Sequence, residues 1–130
     1  MDGIVHFEIP SEDITRAGKF YAGVFGWEIT PWQSPDANMV YHMANTVPVG
    51  ADHRPSEPGG INGALMPKNP LVSSPVLVVS VDSVDDALAK VEAAGGETKL
   101  PKMAVADMGW YALFADTEGN VLGLFETNKG

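Results

Sequence analysis

Cysteine is absent from the 130 residues, so disulfides, thiolate nucleophiles and cysteine-based zinc or iron–sulfur centres are excluded from the start. Positive charge is scarce: eight Lys and Arg stand against 17 Asp and Glu, the net charge is −9, and the basic residues are scattered singly. Nucleic acid and anionic membranes are therefore poor partners. Long apolar runs are missing as well, and the opening residues show no basic segment followed by an apolar one. No membrane span or secretory leader is expected, and a cytoplasmic protein is the default. Histidine, the main metal-binding side chain left once cysteine is gone, occurs three times.

What is present is ordinary globular composition, 45% hydrophobic and 19% charged, in a chain long enough to bury a core without covalent staples. We read residues 1–130 as one domain. A strand over Gly3 to Pro10 is followed by SEDITRAGKFYAGVFGW, in which Ile14, Ala17, Phe20, Tyr21, Val24 and Phe25 recur at helical spacing. Asp13 fits an N-cap and Gly26 a helix stop. WEITPW and MVYHMA read as strands around the turn-forming QSPDAN. Asn45 to Gly60 is a long Pro- and Gly-rich loop, and INGALM is a further strand. SPVLVVSV then starts a second, similar set: the helix SVDDALAKVEAAGG, with Ser83 and Asp86 in a capping-box-like start and Val84, Ala87, Leu88 and Val91 on one face, then ETKLPKMAV, WYALFA and NVLGLFE.

Sliding the chain on itself by 70 residues superposes the two helices and their glycine stops, and places His6 on Val76. An offset of 60 superposes GGINGALM on GNVLGLFE, so that Gly63 meets Gly123. The spacing predicts a repeated strand, helix, strand, strand, strand unit, with the Asn45 to Gly60 loop as the insertion between the two offsets.

HFEIPSEDITRAGKFYAGVFGWEI and the closing FADTEGNVLGLFE resemble the vicinal oxygen chelate superfamily, which includes glyoxalase I, bleomycin-resistance proteins and extradiol dioxygenases. The resemblance implies an α+β fold of two βαβββ modules, about 1–67 and about 73–127, whose curved mixed sheets enclose a cavity, usually in a dimer. In metal enzymes of the superfamily four ligands come from the first and last strands of each module. Position by position these fall on His6, Gly63, Val76 and Gly123. One donor in four survives, where a catalytic divalent metal needs roughly three. The resemblance therefore implies a member with no metal ligands beyond His6, and no cofactor is expected.

His6 and Glu8 lie two residues apart and share a strand face. Two readings of His6 stand side by side: a pocket histidine that bonds a ligand or moves a proton, or a remnant of ancestral ligation satisfied by Glu8 or water. Met39, Tyr41, Met43, Met66, Trp110, Tyr111, Phe114 and Phe125 sit on expected strands, and half should line the cavity. Methionine adapts to irregular ligand shapes. His42 and His53 show no spacing that converges on His6. The acidic DSVDD is a helix start complemented by negative charge.

The leading expectation is a small organic ligand, cationic or aromatic, held by His6, Glu8, Tyr41, Asn62, Trp110 and Phe125 in an aromatic, Met-rich cavity, with the Asn45 to Gly60 loop as a lid. A metal-dependent glyoxalase-like lyase or isomerase, or a dioxygenase-type enzyme, is the competing reading, and a non-catalytic dimeric interaction module the third. No reaction follows from these residues alone.

Overall fold

The computed structural model describes residues 1–35, 40–52 and 54–129. Met39 and His53 lie outside the described residues, as do three residues of the QSPDAN turn. Two helices and strands on either side of each give a mixed α+β architecture in the order strand, helix, three strands, repeated once. The chain divides into two compact units, His6–Pro75, and Met1–Val5 with Val76–Gly130. Among the described residues no helix is long and apolar enough to cross a membrane.

The His6–Pro75 unit holds β1 (Ile4–Ser11) from His6 onward, α1 (Ile14–Phe25), β2 (Glu28–Gln33), β3 (Val40–Asn45) and β4 (Gly63–Pro67). Its strands lie in the order β2, β3, β4, β1, with β1 and β4 parallel and the other pairs antiparallel. Asp13 caps α1, its Oδ1 accepting from Arg16 N at 2.9 Å. Gly26 ends the helix in the left-handed region at φ 75° and donates its N–H to Ala22 O, a conformation that costs glycine little and other residues more. Gly18 is the buried residue of α1: a Cβ there would lie 3.1 Å from Ile29 and 3.9 Å from His42 Nδ1. Phe7, Ile29, His42 and Leu65 therefore belong to the sheet face that α1 covers. Beside it the Tyr21 ring stacks on Trp27 at 4.9 Å and 8°, and Phe7 tilts against Trp27 at 5.6 Å; such pairs add roughly 0.5–1.5 kcal/mol beyond the area they bury.

The long loop before β4 is internally bonded. Gly50 N donates to Arg54 O at 2.8 Å, Ser56 N to Pro48 O at 2.9 Å, and Val49 pairs with Pro55. Asn62 clasps its base, accepting from Thr46 N at 2.7 Å and Val47 N at 3.1 Å while its Nδ2 donates to Val47 O at 3.2 Å.

The second unit holds β5 (Val76–Ser80), α2 (Val84–Ala93), β6 (Glu97–Val105), β7 (Gly109–Ala115) and β8 (Val121–Thr127). Its strands lie in the order β5, β8, β7, β6, again with the first pair parallel and the rest antiparallel. Register shifts interrupt β6 around Leu100 to Met103, where Pro101 has no N–H to donate. Ser83 Oγ accepts from Asp86 N at 3.1 Å, and Glu126 Oε1 reaches from β8 to accept from Val84 N at 2.8 Å. Together they satisfy two of the unpaired donors at the start of α2. Val81, Val84, Ala112 and Leu124 form the core, with Val79, Ala87, Leu88, Trp110 and Phe114 packed against it. The DTEGN turn closes on Asp116, whose carboxylate accepts from the Asn120 side chain and from the N–H groups of Asn120 and Glu118. These bonds, the Asn120 side chain foremost, hold its pKa below the ordinary carboxylate value.

Candidate functional site

Cross-strand partners share a sheet face, so the register assigns the candidates without ambiguity. Glu8 pairs with Ala64, which pairs with Met43, which pairs with Thr30. Alternation along each strand then places His6, Glu8, Trp32, Tyr41, Met43 and Met66 on the face of the His6–Pro75 sheet turned away from α1. Of the residues expected to hold a ligand, this face brings together His6, Glu8 and Tyr41, with Met43 and Met66 beside them. Trp32, whose ring lies 6.0 Å from Tyr41, was missed; the period-two alternation of WEITPW was the signal that could have found it.

Glu8 is only 3% exposed, a carboxylate drawn from water in the middle of a strand. Its charge is felt by Tyr41, whose phenol is pushed well above its ordinary pKa first by burial and then by Glu8. The phenol stays protonated and can donate or accept. Burial pushes His6 down to about 4, so at neutral pH its imidazole is uncharged, with one nitrogen donating and the other accepting. Three polar groups of different character thus stand among Ala64, Met43, Met66 and Trp32.

The other candidates lie elsewhere. The Asn62 side chain is engaged by the loop backbone. Phe125 is in the second unit, opposite Tyr111 and on the sheet face turned away from α2. Trp110 packs against the α2 core on the reverse face, with Lys102 Nζ 5.3 Å from its ring centroid.

One correspondence needs correction. Glu8 and Val78 are related by the offset of 70, yet Glu8 pairs with Ala64 while Val78 pairs with Gly123. Ala64, not Gly63, is therefore the counterpart of Gly123. Gly63 pairs with Phe7 on the α1 face, where a Cβ would lie 2.5 Å from the Phe7 ring. The correction brings no donor, since alanine replaces glycine. At Gly123 a Cβ would meet Val78 at 3.1 Å and the Tyr111 ring at 3.4 Å. With Ala64, Val76 and Gly123 at the other positions, the residues do not fit a four-ligand metal centre. Among the described residues no three His, Cys, Asp or Glu side chains are grouped to hold an ion.

The sequence model of the family described as Glyoxalase/Bleomycin resistance protein/Dioxygenase superfamily matches residues 3–124. A Mycobacterium bovis protein named "Putative glyoxylase CFP32" is 32% identical over 124 residues, 94% of this chain and 44% of its own length. The anthracycline biosynthesis protein DnrV of Streptomyces peucetius is 29% identical over 123 residues, 87% of this chain and 42% of its own length. The chain thus spans less than half the length of the curated relatives it matches. Among solved structures, Streptomyces coelicolor methylmalonyl-CoA epimerase superposes with a TM-score of 0.65 at 15% identity, covering 95% of this chain and 96% of that one. That likeness concerns the fold alone.

Proposed function

The chain belongs to the glyoxalase/bleomycin resistance protein/dioxygenase superfamily, and on that premise we propose that it binds a small organic molecule at the polar row of His6, Glu8 and Tyr41, without a resident metal. The observation that carries this reading is a nearly fully buried carboxylate beside a neutral imidazole and a neutral phenol. Such groups on an apolar, methionine-bearing face fix a ligand's orientation while the surrounding area supplies affinity. Glu8 with the Trp32 and Tyr41 rings suits an aromatic ligand with a cationic head, in keeping with 17 acidic residues against eight basic ones. Relatives named for anthracycline biosynthesis support an organic rather than an ionic ligand. The same reading includes two modules forming one domain, a homodimer, and residence in the cytoplasm.

The test joins metal analysis to ligand titration. Purified protein should carry no stoichiometric zinc, nickel, iron or manganese. Its tryptophan fluorescence should respond to an anthracycline or to benzyltrimethylammonium, and Glu8→Gln should weaken that response about tenfold. Stoichiometric metal lost on His6→Ala would instead favour the metal-dependent lyase or isomerase reading, which the relatives' glyoxylase name supports.

A further inference from the structure

The reverse side of β1 carries a second feature that the polar row does not use. A groove of about 470 Å³ runs between the end of β1 and the first half of α1, within the size range of small-molecule sites. Its apolar wall is Ile9, Ala17, Phe20 and Tyr21, and its charged rim includes Arg16 and Lys68. Phe20 is 57% exposed and meets the Tyr21 ring edge-on at 5.2 Å, which leaves one of its faces open to the groove. Arg16 and Phe20 are four residues apart on α1 and so share one helix face.

The charges on the rim are not equivalent. Glu12 is matched by Lys68, whose Nζ lies 3.7 Å from its Oε1. Asp13 is occupied in capping α1, accepting from Arg16 N. Among the described residues the Arg16 guanidinium makes no ion pair. The first turn of α1 contains no acidic residue, whereas that of α2 contains Asp85 and Asp86, so the Asp13 cap is the carboxylate that offsets the positive end of the α1 dipole. A planar cation with no ion-pair partner among the described residues therefore stands one helical turn from an exposed aromatic ring, over a groove lined by Ile9 and Ala17.

We propose that this groove is a binding site for an aromatic carboxylate, its carboxylate gripped in bidentate fashion by Arg16 and its ring laid against Phe20. A guanidinium fork matches a carboxylate in plane and spacing, which a lysine does not. Ile9 and Ala17 line the groove, and the Lys68–Glu12 pair stands at its rim. The site stands independently of the polar row, because Ile9 and the helix lie on the opposite side of β1 from His6 and Glu8.

Titration of the full chain with 2-naphthoate, followed by amide chemical shifts, tests it. Saturable shifts are expected at the residues around Arg16 and Phe20, with affinity falling at least fivefold in Arg16→Gln and in Phe20→Ser and remaining within twofold in His6→Gln. Both groove variants alter exposed side chains, and thermal unfolding checks that they stay folded. Arg16→Lys should recover only part of the affinity. Three results would overturn the proposal: no saturable shifts in the unmodified chain, unchanged affinity in Arg16→Gln, or inorganic phosphate binding as tightly as 2-naphthoate, which would leave only a nonspecific cation.

Discussion

His6 illustrates how burial turns a side chain's identity into a measurable property. In an unfolded chain an imidazole titrates near 6.5, and in the fold burial pushes it to about 4. Between those values the unfolded chain takes up a proton that the folded chain refuses. The resulting stability is complete above about pH 6.5 and is lost as the pH falls toward 4. Urea unfolding at pH 7 and pH 4.5 should therefore show the unmodified chain losing about 2–3 kcal/mol more than His6→Gln, which cannot be protonated. Equal losses would mean that the imidazole is not desolvated. At this scale the sequence was informative about which groups matter, since HFE placed His6 and Glu8 on one strand face. It could not show that Asn62 is consumed by the loop backbone or that Trp110 packs under α2, because both facts depend on partners distant in the chain.

Elements differed in how far local chemistry fixed them. Helix α1 was legible from Asp13 through Gly26, since caps and a 3.6-residue period are local signals. The phase of β4 was not. Gly63, Ala64, Leu65 and Met66 are all buried, so the run has no alternation to say which residues face α1, and a shift of one residue exchanges the two faces. Only the pairing of Glu8 with Ala64 settled it. Two glycines separate the consequences. Gly63→Ala should destabilise by about 2 kcal/mol or more, because its Cβ would be driven against Phe7. Gly23→Ala, on α1 with nothing within 4 Å, should stabilise by about 0.5–1 kcal/mol through helix propensity. Chemical denaturation of both reads the pair, and a mild Gly63→Ala would contradict the close β1–β4 approach.

For the whole molecule, charge imbalance is the property the sequence set most directly. With 17 acidic and eight basic residues, the acidic side chains outnumber the basic ones by nine, and the ion pairs found among the described residues are exposed and weak. Self-repulsion should therefore be relieved by salt: raising sodium chloride from about 20 to about 300 mM at pH 7 should increase Tm by a few degrees. A fall in Tm would show that attractive pairs dominate instead. The sequence by itself determined composition, the exclusion of cysteine chemistry, the element order, the helix caps and the superfamily, because each is written in neighbouring residues or in a motif of fixed spacing. Tertiary structure alone decided which face each strand residue occupies, that Ala64 rather than Gly63 stands beside Glu8, that Glu126 closes α2, and that Arg16 and Phe20 border a groove. Those outcomes depend on register and on packing between segments tens of residues apart, which no local pattern encodes.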